Sequence, residues 1–378
     1  MTPRRRFVSA FPFACLVLGL WVAPALAQPD PSGIDFVTIG APGNAAYQAS
    51  DPRSFEHNRG SVAYEYKIGR YEMTTGQWVE FMNAARMRPD PIPWVEIPGE
   101  WVGGQIGPFG VSGSRAMLPV GGVTWRTCAI FTNWLHNNKS LDRAAFLSGA
   151  YDVSTFGYDA NGNFTDQQAH SPGARYWIPT MDEWLKAAHY DPGKQNPDGS
   201  VGGWWQYNNT SDVRPIYGMP ESMGGSGEAN AGFIAPGEAQ FLVPLGDYPQ
   251  TQSPWGLFDV AGATREYTET IYPAEAGLRY RVVRGSAWAS TAGQADSIRG
   301  AGAVPPSIHD YAYGFRIASA VPAPSTGVVV LLTGLWGTHR KRRSVHECKV
   351  CSAAYLRAAP PHHVCHDGTC AVDPRQCD

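Results

Sequence analysis

Three stretches of the chain repeat apolar positions at helical spacing, each opened by a threonine. Thr180 precedes Trp184, Leu185, Ala187 and Ala188; Thr74 precedes Trp78, Phe81, Met82 and Ala85; Thr124 precedes Trp125, Cys128, Thr132 and Leu135. In the first two, an acceptor side chain stands three residues after the threonine, Glu183 and Gln77, which predicts a capping box. Asp182 and Glu183 put negative charge in a first turn, where the helix dipole favours it. Asp191-Pro192-Gly193 and Asn137-Asn138 are the expected stops.

Elsewhere the pattern is short and alternating. Residues 34–39 read as a first strand, and residues 64–71 as a second with Tyr64, Tyr66 and Ile68 on one side. Pro179 holds the residue before it extended, so a strand is expected over 176–178. Residues 242–245, 282–284 and 313–318 are further strand candidates. Residues 41–60, 88–113 and 192–228 read as loop, and 151–171 as a polar insertion. The sum is an α+β domain with short antiparallel strands, few helices and long irregular loops. The strip Trp204-Trp205-Gln206-Tyr207 suits either a sugar face or an inward loop anchor. Asp159-Ala160-Asn161-Gly162-Asn163 suits either the start of a calcium loop or a plain turn, and it lacks the closing bidentate glutamate.

Composition changes this picture in two places. A net charge of −3 gives no electrostatic footprint for nucleic acid. Of 7 cysteines, five lie beyond residue 345, and Cys128 stands alone in the body. The body therefore carries no disulfide framework, although its N-terminus reads as an export signal. Arg4-Arg5-Arg6, the apolar run 7–22 and Ala25-Leu26-Ala27 are the three parts of a signal peptide, residues 1–27, with Gln28 as the first mature residue. A retained membrane anchor is the alternative.

Seven blocks in order resemble the formylglycine-generating enzyme, or sulfatase-modifying factor, family. They are Tyr71-Glu72-Met73-Thr74; Pro119-Val120 through Val123-Thr124-Trp125; Asn133-Trp134-Leu135; Ile178-Pro179-Thr180 through Glu183-Trp184; Trp255-Gly256-Leu257-Phe258-Asp259-Val260-Ala261-Gly262; Arg284-Gly285-Ser286-Ala287-Trp288; and Gly314-Phe315-Arg316. The resemblance implies a C-type-lectin-like fold for a domain over 34–319. It also implies a groove framed by the last two blocks, with Trp288, His309, Tyr311 and Tyr313 as lining candidates. Arg299 and Arg316 are candidates there too, or buried braces.

The family's oxidases convert a sulfatase cysteine to formylglycine with a copper-binding cysteine pair in this interval. Soft thiolates suit copper(I). Here residues 289–313 contain no cysteine, and the counted positions fall near Gly293 and Ile298. Copper is therefore not expected. Calcium is the cofactor that the resemblance leaves open, through Asn230 with Glu238, and through Glu266. The family's asparagine has become Ala263, and Arg265 beside Glu266 could pair with it.

Val321-Pro322-Ala323-Pro324-Ser325, the apolar run 326–337 and His339-Arg340-Lys341-Arg342-Arg343 resemble the PEP-CTERM sorting signal over 321–343. The run is short against the about 20 residues of a full membrane span, so its membrane association would be transient. The Cys-rich tail 344–378 carries Cys348, Cys351, Cys365 and Cys370, which suit zinc if reduced and disulfides if exported. These features lead to an exported envelope protein, handled by export and sorting machinery, that binds an extracellular glycan, peptide or surface protein and not nucleic acid. The competing expectation is an oxidase of the formylglycine-generating type, or another oxidation in the same groove.

Overall fold

The computed structural model describes residues 30–322 except 99–100, 102, 234–238, 274–278 and 292–294. The expected signal peptide, the expected sorting segment beyond Pro322 and the Cys-rich tail, with its four zinc candidates, lie outside the described residues, as does Glu238. No described helix is long and apolar enough to cross a membrane.

In chain order the strands and helices are β1 (Phe36–Ile39), β2 (Tyr66–Gly69), α1 (Thr75–Arg86), α2 (Trp125–His136), α3 (Ala144–Leu147), β3 (Tyr176–Trp177), α4 (Met181–His189), β4 (Tyr190–Gln195), β5 (Val201–Trp204), β6 (Arg265–Pro273), β7 (Arg279–Arg284), β8 (Gly302–Val304), β9 (Tyr313–Gly314) and β10 (Ala318–Ala320). The fold is α+β, with short strands in small sheets. One sheet has the order β1-β2-β10-β3, so its edge-to-centre pairing brings residues near both ends of the domain together. Another has the order β8-β7-β6-β9, in which only the β6–β9 pair is parallel. Strands β4 and β5 form a separate hairpin.

Local signals set the helices. Thr74 and Gln77 close a capping box on α1, and Thr180 and Glu183 close one on α4. The Thr124 side chain accepts from the Thr127 amide at the head of α2. Every residue from Trp125 to Leu135 is buried, so α2 is the central post of the fold. Trp78 of α1 stacks on Phe131 of α2, ring centroids 5.4 Å apart, and meets Phe315 edge-on at 5.7 Å. Burial of such rings supplies much of the driving force for the fold.

Several expectations are corrected. Tyr64 lies outside β2 and stays half-exposed, although its ring meets that of Tyr66 edge-on at 6.2 Å and its hydroxyl reaches the buried Glu183 at 2.9 Å. Asp191-Pro192-Gly193 does not form a loop: α4 runs directly into β4, where the pairing with β5 absorbs a register shift. Trp204 is an anchor at the end of β5, edge-on to Tyr47 and Tyr190. Gly60 lies under its ring, where any Cβ would collide with the indole. Residues 242–245 form no strand; a 3-10 turn, Gln240–Leu242, precedes them. Residues 313–318 divide between β9 and β10, in different sheets.

Segment 151–171 is an inward-facing lobe rather than a polar insertion. Tyr151, Val153, Phe156, Phe164 and Asp166 are buried. Asp166 there forms an ion pair with Arg126 of α2, both side chains being almost wholly enclosed. The Asp159 carboxylate accepts from the amides of Asn161 and Asn163, at 2.9 and 2.8 Å. That is a plain turn, with Gly162 at φ +80°.

Candidate functional site

The site grows from the end of β7. Gly285 turns the chain at φ +77°, a left-handed conformation that glycine adopts without a Cβ clash. The Trp288 amide then donates to the Ala263 carbonyl, and the Phe233 amide to the Trp288 carbonyl. These bonds hold the indole against Phe241, centroids 4.8 Å apart, and against Tyr311 at 6.2 Å. Phe241 and Tyr311 meet edge-on at 5.7 Å. Gly121 completes the seat: a Cβ there would collide with the Tyr311 carbonyl, beside the Trp288 ring. Trp288 is 3% exposed, and its Nε1 is buried without a hydrogen-bond partner.

Of the groove candidates, Trp288 and Tyr311 come together. His309 is exposed on the same loop as Tyr311. Tyr313 leans on Tyr267, centroids 5.8 Å apart, and burial lifts its phenol. Arg299 is exposed and sits next to the buried Ile298. Arg316 lines no groove. It is fully enclosed and donates to both oxygens of Glu266 and to the carbonyls of Gly69, Arg70, Phe258 and Asp259. Phe241 is the member that sequence reasoning missed, because its segment carries no periodic signal and its partners are far along the chain.

Beneath lies a buried carboxylate cluster. Glu72 accepts from the Thr264 amide and hydroxyl, at 3.3 and 2.5 Å. Burial, and then the Glu266 carboxylate, push Glu72 well above the ordinary carboxylate range. Burial pushes Asp259 up to about 7. Trp184 of α4 donates its Nε1 to Glu266 at 2.9 Å. Three acids thus face one guanidinium, which favours a proton on at least one of them. All of these groups are enclosed, so the cluster braces the fold beneath the aromatic seat.

The donors at the site discriminate between two metals. Thiolates for copper(I) are missing from the sequence between Ala289 and Tyr313. Ile298 is a buried aliphatic side chain, and Gly293 lies outside the described residues. Cys128 is fully buried in α2, and burial pushes its thiol well up, away from thiolate. Copper does not fit this donor set. For calcium, Asn230 offers a buried Oδ1 with no hydrogen-bond partner, while its Nδ2 donates to the Gln240 carbonyl. The charge of Glu266 is already met by Arg316, which corrects the expected pairing with Arg265; Arg265 donates instead to the Gly285 carbonyl. Among the described residues, no group of three or more His, Cys, Asp or Glu side chains converges.

Residues 24–321 match the family model described as the sulfatase-modifying factor enzyme 1-like domain. Solved structures of similar fold include CarF, with 20% identity over 77% of this chain and 100% of that one at a TM-score of 0.49. Treponema denticola variable protein 1 is 18% identical over 76% of this chain and 95% of its own, at 0.45. PvdO from Pseudomonas aeruginosa is 13% identical over 78% and 97%, at 0.42. No curated protein matches the chain.

Proposed function

The chain belongs to the sulfatase-modifying factor enzyme 1-like domain family, and we propose that within it this protein is a non-catalytic binding module for a glycan, peptide or partner protein of the cell surface. The observation that carries this reading is the donor set. A copper oxidase of a peptide thiol needs soft ligands beside its groove. Here the interval between Trp288 and Gly314 supplies none, and Cys128 is locked inside α2. What stands at that place is an aromatic seat made by Trp288, Phe241 and Tyr311. Phe241 and Tyr311, partly exposed around the buried Trp288, offer apolar area, and His309 beside them offers a polar tip, a combination suited to recognition.

In this reading the N-terminal signal exports the protein. The 321–343 segment sorts it to the envelope, with brief membrane contact through 326–337. A calcium ion would be held through Asn230, stabilising the loop under the seat. Zinc or disulfides would belong to Cys348, Cys351, Cys365 and Cys370. The direct test is incubation of copper-loaded protein with a sulfatase-type C-x-P-x-R peptide in air. The peptide cysteine is expected to stay a thiol.

A further inference from the structure

Trp94 adopts φ +64°, a left-handed backbone that bulky side chains rarely take. The surroundings impose it. Ile92 and Val95 are buried on either side. Arg86 Nη1 donates to the Val95 carbonyl at 2.6 Å, and Thr127 Oγ1 to the Trp94 carbonyl at 2.8 Å. A strained residue persists only where its neighbours over-determine it, and such residues gather at ligand sites. Here the strain leaves the indole 41% exposed.

Tyr158, 51% exposed, shares the same anchor. The Arg126 guanidinium lies 4.7 Å from the Trp94 ring centroid and 4.8 Å from that of Tyr158. Arg126 is itself 2% exposed and held by the Asp166 carboxylate. The Tyr158 hydroxyl is fixed at 2.6 Å from Ser307 Oγ. Two exposed aromatic rings are thus pinned to one neutralised, buried cation before any ligand arrives. Pre-organisation of this kind lowers the entropic cost of binding.

We propose that Trp94 and Tyr158 form a stacking platform for the pyranose rings of a neutral, gluco-configured polysaccharide. An all-equatorial hexose shows a face of axial C–H groups, slightly positive, to the negative face of an aromatic ring. Ser307, Asn161 and Asp159, exposed beside Tyr158, supply hydroxyl partners. A cationic ligand is disfavoured, because the Arg126 guanidinium on the inner face of both rings already draws on their π density. An anionic one is disfavoured by Asp159. A nucleic acid strand would need basic side chains along its backbone, which a chain of net charge −3 does not concentrate here. The platform deepens the binding-module reading and rests on it, but it uses none of the residues of the Trp288 seat.

The experiment is calorimetric titration of the full chain with a β-1,4-glucose hexamer, with a polygalacturonate hexamer and tetramethylammonium as the charged alternatives. The glucose hexamer is expected to bind, and Trp94→Ala and Tyr158→Leu each to weaken it about tenfold. Trp94→Phe should retain most of the affinity, which separates loss of the ring from loss of the fold. Val213→Ala, at an exposed position in neither aromatic group, should leave the hexamer affinity unchanged. Failure of the hexamer to bind, binding indifferent to Trp94 and Tyr158, or preference for either charged probe would overturn the platform. Hexamer binding lost only in Phe241→Ala would overturn the platform while leaving the binding-module reading in place.

Discussion

Arg316 grips Glu266 with two hydrogen bonds, Nε to Oε2 at 2.6 Å and Nη2 to Oε1 at 2.8 Å, both side chains fully enclosed. The pair joins the segment after β9 to β6 and ties four backbone carbonyls to the same guanidinium. It also decides two roles at once. Arg316 is unavailable to a ligand, and Glu266 is unavailable as a free carboxylate for a cation.

Removing one partner of such a buried pair leaves the other charge uncompensated. Arg316→Met should destabilise the domain by about 3–5 kcal/mol. Denaturant unfolding followed by tryptophan fluorescence measures it. A loss below about 1 kcal/mol, the value of an exposed pair, would show that the pair is not enclosed.

Helix α4 gives a graded test. Thr180→Ala removes the side chain that accepts from the Glu183 amide and should cost about 1 kcal/mol. Trp184→Ala opens a cavity and strips Glu266 of its indole donor, for about 3–5 kcal/mol. Equal melting temperatures for the two variants would mean that the Trp184 face does not anchor the core.

Stability should fall as pH rises from weak acid through neutrality. Burial lifts Asp259 to about 7, and burial with Glu266 lifts Glu72 well up. A raised folded pKa contributes stability that is complete below the unfolded value, near 4, and is lost as pH rises through the folded one. His170 adds to this: although burial works against its charge, the Glu269 carboxylate at 3.0 Å holds it above the ordinary histidine value. His189 acts oppositely. Burial, then Arg284, keep its imidazole neutral, so its contribution is present above the unfolded value near 6.5 and lost as pH falls. The melting temperature should therefore peak in weak acid and drop from about pH 6 to 8. Asp259→Asn should flatten that drop, and a melting temperature that rises from pH 6 to 8 would refute this account.

What the sequence revealed follows from range. The capping boxes of α1 and α4 are written within four residues, so the threonine and its partner can be read directly. Trp78, Phe81, Met82 and Ala85 show their buried face through spacing alone. The longest described strand, β6, shows no sequence signal because Glu266, Tyr267, Thr268 and Glu269 are all buried. With both faces covered, and acids paired to distant arginine, histidine and tyrosine, no alternation survives. For the same reason the Phe241–Trp288 contact and the Trp94–Arg126–Tyr158 stack are invisible in the chain, since each joins segments with no local signal. The blocks Arg284-Gly285-Ser286-Ala287-Trp288 and Gly314-Phe315-Arg316 were legible, and Trp288 and Tyr311 lie within their span while Phe241 does not; that Arg316 turns inward is visible only in its carbonyl partners.

The most direct measurement of the central claim is mass spectrometry of a C-x-P-x-R peptide after incubation in air with copper-loaded protein. The account predicts an unmodified cysteine, together with copper(I) affinity no greater than that of a Cys128→Ser variant, because Cys128 is enclosed and no thiolate pair borders the Trp288 seat. A peptide carrying the mass change of thiol to aldehyde would contradict it and require an oxidation that runs without the cysteine pair.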